Sequence, residues 1–187
     1  MPRFASLKMW HGLTDNISLS TGLANCATQE ACDRIGLPLY YHRPLLNLDS
    51  CPETDFEDKS KTILYSPDHH PMKDRVLRSL RESLPDYELR ELQYSPGEGF
   101  LQALAEARFC LSFSSDPGRY YIQPYFCGSI GLTVYNELLF RDQAIRSQPF
   151  VYGTYYQLAG NLAGDISRVC RNREEYERIS ADLCAYW

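Results

Sequence analysis

The chain predicts an α/β fold: a parallel sheet with helices on both faces, followed by a helical C-terminal segment. Three observations carry this. Between residues 61 and 135, short apolar runs alternate with segments of helical periodicity. Proline, glycine or polar turn residues separate the runs. Beyond residue 150 the alternation stops, and two amphipathic stretches follow. Strands alternating with helices of about 10–15 residues imply right-handed βαβ units, the plan of a Rossmann-like domain.

The elements follow in order. Residues 1–50 hold Trp10-His11-Gly12, a strand-like run TGLANCA, a short helix in TQEACDRIG, and LPLYYHRPLLNL. Residues 51–60, CPETDFEDKS, are acidic and irregular and read as a linker. The domain proper spans 61–187 and begins with KTILYS, a first strand. In MKDRVLRSLRESLP, Val76, Leu77, Leu80 and Leu84 share one helical face, with Pro71 suited to the start and Pro85 to the stop. YELRELQY (87–94) is a strand polar enough for a sheet edge. SPGEGFLQALAEAR becomes a helix burying Phe100, Leu101, Leu104 and Ala107. FCLSF (109–113) is continuously apolar, as a strand covered on both faces should be. A turn at Asp116-Pro117-Gly118 then leads into a short aromatic helix ending at Cys127-Gly128, and IGLTVY is a fourth strand. YYQLAGNLAGDISRVC and NREEYERISADLCAYW close the chain as helices, the second with a capping box at Asn172 and Glu175.

Composition narrows the class. The chain has 187 residues, 44% hydrophobic and 23% charged, with a formal charge of −5. That suits one ordinary domain, or one with a partial second, and argues against a general electrostatic grip on nucleic acid. No apolar run approaches the roughly 18 residues that span a bilayer, and MPRFASLKMWHG has no signal-peptide core, so a cytoplasmic protein is expected. Seven cysteines stand without a CxxC pair, which fits reduced thiols better than a disulfide framework or a zinc cluster.

In an open parallel sheet, ligands bind beyond the carboxyl ends of the strands. Three loops meet that rule: 66–73, 114–121 and 136–137. Ser66 and Ser115 offer hydroxyls, Lys73 and Arg119 positive charge, and Gly118 close backbone approach. The helices that follow point their N-terminal amides at the same place, which favours an anion. Tyr120 and its neighbours could stack on a base or sugar. Each residue also has a purely structural reading: the tyrosines as packing, Gly118 as a turn, the cations as solvated charges. The phosphate-binding, dinucleotide-binding and nucleophile-elbow motifs are absent.

These stretches resemble the C-terminal, donor-binding domain of GT-B glycosyltransferases of the group 1 and group 4-like kind. The likeness rests on ILYSPDHHPMKDRVLRSL, with Lys73 where the family's lysine faces the donor diphosphate. It continues through LPDYELRELQYSPGEGFLQALAEARFCLSFS and GRYYIQPYFCGSIGLTVYN. Residues 1–50 resemble a remnant of the N-terminal acceptor-side domain and its crossover. Two departures stand out. The family's paired glutamates fall on Ser115 and Gln123 here, with Asp116 beside the first, and most of an acceptor domain is missing.

The resemblance implies a protein that binds a nucleotide-activated sugar and transfers the sugar to a hydroxyl acceptor. Lys73 and Arg119 meet the phosphates, while Ser66, Ser115, Asp116, Gly118, Tyr120, Gln123, Asn136 and Glu137 line the donor site. His11 is the candidate base. It implies no metal and no cofactor beyond the donor, and a separate acceptor-domain protein or a second copy as partner. The rival expectation is a non-catalytic module that keeps the fold and binds a ligand or a protein.

Overall fold

The computed structural model describes residues 19–21, 28–41, 51–52, 54–94, 98–113, 118–137, 140 and 143–187. By contact the chain divides into two units, residues 1–45 with 136–142, and residues 46–135 with 143–187.

The smaller unit holds a parallel strand pair, β1 (Leu19–Thr21) and β2 (Leu39–Tyr41), joined through helix α1 (Gln29–Ile35). Local chemistry sets the helix bounds. Thr28 Oγ1 accepts from the Ala31 amide at 3.1 Å, satisfying one open N–H of the first turn. Glu30 near the start and Arg34 near the end complement the helix dipole. Gly36, at φ 73°, ends it by returning its N–H to the Cys32 carbonyl at 2.8 Å. The strand-like run TGLANCA overlaps β1 only at Thr21; residues 22–27 lie outside the described residues.

The larger unit has the expected α/β fold. Its strands are β3 (Ser60–Tyr65), β4 (Glu88–Glu91), β5 (Ala107–Leu111), β6 (Ile130–Val134) and β7 (Val151–Tyr152). Its helices are α2 (Lys73–Ser83), α3 (Glu98–Glu106), α4 (Gln123–Phe126), α5 (Tyr155–Val169) and α6 (Arg173–Tyr186). The strands run parallel in the order β4-β3-β5-β6-β7. From β3 the chain steps outward to β4, then crosses back over β3 to β5. The strand order therefore reverses between β3 and β5.

Burial explains why these residues form strands. Ile63, Leu64, Phe109, Cys110, Leu111, Ile130 and Leu132 have no exposed surface. Covered on both faces, such strands read as unbroken apolar runs. β4 is one of the two edge strands, exposed or half-exposed throughout, as its polar sequence demands. α2 buries Val76, Leu77 and Leu80 and packs on α5, where Ser79 Oγ donates to the Ala159 carbonyl at 2.9 Å. α4 packs on α6. Asn172 Oδ1 caps α6 by accepting from the Glu175 amide at 3.3 Å.

The structure departs from expectation in detail. Ala107 does not end the preceding helix but opens β5, so helix passes directly into strand. The aromatic helix begins as a π-helical turn, Gly118–Ile122, before α4. A 3-10 turn, Gln143–Ser147, and the two-residue β7 stand where no element is expected. Residues 54–59, within the expected linker, belong to the larger unit, and Lys59 there is only 3% exposed. Among the described residues Cys32, Cys51, Cys110, Cys127, Cys170 and Cys184 stand outside any disulfide.

Candidate functional site

The reversal between β3 and β5 opens at the carboxyl ends of these strands, where an open α/β sheet places its ligand. The backbone there is tightly laced. The Ser66 amide donates to the Leu111 carbonyl at 3.0 Å, and Ser66 Oγ accepts from the Phe113 amide at 2.9 Å. Ser66 thus latches β3 to β5 and has no exposed surface. The Leu92 amide closes the other side by donating to the Tyr65 carbonyl at 2.9 Å.

Lys73, the first residue of α2, reaches back into this edge. Its Nζ donates to the Ser66 carbonyl at 2.9 Å, the Asp68 carbonyl at 3.3 Å and Glu91 Oε2 at 3.1 Å. The ammonium also lies 5.0 Å from the Tyr65 ring centre and 5.8 Å from that of Phe113. Three donors therefore meet three oxygens, and only 14% of the side chain is exposed. A cation at a helix start opposes the dipole; here Glu91, at the end of β4, supplies the counter-charge. Glu91 is 39% exposed, so water screens the pair.

Beside Lys73 stands a wall of rings that sequence patterning does not reveal. His70 stacks on Tyr155 with ring centres 3.8 Å apart, and Tyr155 lies nearly parallel to Phe113 at 5.9 Å. His70 Nδ1 accepts from the Met72 amide at 3.1 Å, which places the proton of the neutral ring on Nε2. Burial first, and the neighbouring His69 second, hold the His70 pKa below its usual 6.5. His70 thus joins the rings along the β3–β5 edge. Among the described residues no three His, Cys, Asp or Glu side chains gather to hold a metal.

The remaining predicted residues distribute as follows. Gly118 opens the π-helical turn and is buried. Arg119 is exposed, with its guanidinium 3.8 Å over the Tyr94 ring. Tyr120 is 4% exposed, packs edge-on to Phe100, and donates its hydroxyl to the Leu92 carbonyl at 3.0 Å. Burial is the main cause that pushes its pKa up to about 12. Gln123 is 7% exposed, at the first residue of α4. Asn136 and Glu137 follow β6, are exposed, and belong to the smaller unit. His11, Ser115 and Asp116 lie outside the described residues.

The edge therefore brings together Ser66 and Lys73, and adds Glu91, His70, Phe113 and Tyr155. Glu91 carried no site signal, because the edge strand read from sequence runs on to residue 94 and only the structure ends it at Glu91. Tyr155 carried none, because its approach depends on how α5 packs. No helix among the described residues is long and apolar enough to cross a membrane.

No protein-family model matches the chain, and no curated protein matches it in sequence. Its structure resembles that of TarM, a GT-B glycosyltransferase, with a TM-score of 0.56 at 10% sequence identity. The likeness covers 97% of this chain and 42% of that one. The chain thus has a glycosyltransferase-like fold and spans less than half the length of TarM.

Proposed function

We propose that the larger unit binds a nucleotide-activated sugar at the β3–β5 edge and serves as the donor half of a transferase. The sugar passes to a hydroxyl acceptor on a surface supplied by a separate acceptor-domain protein, further chain or a second copy. The observation that carries this reading is Lys73: a mostly buried cation held at the switch point of a glycosyltransferase-like fold. Its carbonyl contacts hold the ammonium in place, and Glu91 occupies the one position that a phosphate can take over.

On donor binding, the diphosphate displaces Glu91 from Lys73. As the bond from the sugar's anomeric carbon to the diphosphate oxygen breaks, negative charge grows on the leaving group. Lys73, Arg119 and the positive end of α2 meet that charge, so the scheme calls on no metal. His11 is the proposed base for the acceptor hydroxyl. Ser115, Asp116 and Gln123 are the proposed contacts to sugar and ribose.

A second reading has its own support. Ser66 is fully covered, Tyr120 is packed in the core, and all three Lys73 donors are engaged within the chain. A domain that had lost its donor and bound a protein instead would keep these same contacts. Thermal unfolding against UDP, GDP, ADP, CMP and their sugar conjugates separates the two. A melting temperature that climbs with the concentration of one nucleotide supports the donor reading, as linkage requires. No shift with any of them supports the protein-binding module.

A further inference from the structure

A cavity lies at the end of the same sheet opposite the Lys73 edge. It has a volume of about 710 Å³ and is bounded by residues 54–59 ahead of β3, by Gly128 ahead of β6, and by one face of α6. β3 separates it from the Lys73 edge by six residues, about 20 Å at the usual strand rise. Its size is that of an ordinary small-molecule site.

The lining has a consistent chemistry. Glu177, Ser180, Ala181, Cys184 and Ala185 fall on one stripe of α6 and face the cavity. Ser180 is 6% exposed, and among the described residues its hydroxyl has no hydrogen-bond partner. Its oxygen keeps contact with the cavity space and so is open to a ligand atom. The rings of Tyr125 and Tyr176 supply apolar wall, since both hydroxyls are turned elsewhere: Tyr125 donates to the Gly131 carbonyl at 2.7 Å, and Tyr176 to the Arg108 carbonyl at 2.6 Å.

The charge is uneven. Asp55, Asp58 and Glu177 line the cavity. Arg173 answers Glu177 at 2.7 Å, but among the described residues neither Asp55 nor Asp58 takes part in an ion pair. The lining cation, Lys59, is turned into the protein: its Nζ donates to the Ala105 carbonyl, the Cys127 carbonyl at 3.0 Å and Ser129 Oγ at 3.2 Å. The solvent side therefore presents two open carboxylates over an apolar wall with one open hydroxyl.

We propose that this cavity is a binding site for a small amphipathic amine. The ammonium sits between Asp55 and Asp58, the apolar body lies against Tyr125 and Tyr176, and Ser180 takes a polar atom of the ligand. The site needs nothing from the Lys73 edge and stands whether or not that edge binds a donor.

Calorimetric titration of the full chain with phenethylamine and with phenethyl alcohol tests this, the two probes sharing a body and differing in charge. The amine should bind about tenfold more tightly, the preference of one charge-assisted contact. The double variant Asp55→Asn/Asp58→Asn, both at exposed positions, should bring the two probes to within about twofold of each other. Ser180→Leu, or Ala185→Phe from the exposed side of the same stripe, should crowd the wall on which the probe lies and weaken binding of both at least tenfold. Whichever of these two keeps the native melting temperature gives the reading. Failure of both probes to bind, equal affinities, or amine binding unchanged by the crowded wall would each overturn the proposal. Nucleotide titrations of the crowded variant report on the Lys73 edge separately.

Discussion

A methyl group on Gly131 would stand 2.0 Å from the Tyr121 carbonyl oxygen, so the π-helical turn lies directly on β6 at that residue. Neither partner can move without disturbing a strand or a helical turn. Gly131→Ala should therefore destabilise the chain by about 1–3 kcal/mol, the usual cost of overpacking. A urea midpoint equal to the native one would show that the contact is softer than described. His70 supports a prediction about pH. Its folded pKa lies below the unfolded value of about 6.5, so in acid the unfolded chain takes up a proton that the native ring resists. The stability it contributes is present above that unfolded value and is lost as pH falls from there through the folded pKa. His70→Phe keeps a ring against Tyr155 but cannot titrate. From about pH 7.5 to about pH 5.5 its stability should fall less steeply than the native chain's. Parallel slopes would remove His70 from the account. The position of Lys73 at the β3–β5 edge was legible from its place in the loop after the first strand. Lys59 was not, because nothing in an acidic, irregular run distinguishes a buried lysine from a solvated one.

Elements with local causes were the readable ones. α6 starts where Asn172 and Glu175 say it should, and Asn172→Ala should cost about 1 kcal/mol through the lost cap. An unchanged melting temperature would mean that the Arg168–Glu175 ion pair alone holds that end. β3, β5 and β6 were legible because double-sided burial leaves an unbroken apolar record in sequence. The polar β4 was legible as an edge for the converse reason. β7 was not: two residues carry no period, and their pairing with β6 is a tertiary fact. Ala107 shows the same limit. The residue continues the helical apolar pattern of α3, yet its backbone pairs with β3 opposite Ser60 and so belongs to the sheet. The π-helical turn escaped because the approach of Gly131 to Tyr121, not the composition of GRYYI, marks where it lies.

At the scale of the molecule, the parallel sheet follows from the alternation of strands and helices in sequence, whereas its reversal between β3 and β5, which sets where a ligand is expected, is a matter of strand order that the alternation leaves open. The aromatic wall and Glu91 do not follow, because they join residues distant in the chain at an edge made only on folding. Glu91 gives the central claim its sharpest consequence. If it holds the place of a phosphate, removing its charge should free Lys73 for a ligand, whereas removing Lys73 should abolish the contact. Calorimetric titration of the native chain, Lys73→Ala and Glu91→Gln with UDP, GDP and ADP is the most direct measurement. The account predicts that one nucleotide binds the native chain, more weakly to Lys73→Ala by about 1–3 kcal/mol, and at least as tightly to Glu91→Gln. No binding by the native chain, or equal affinity in Lys73→Ala, would contradict it.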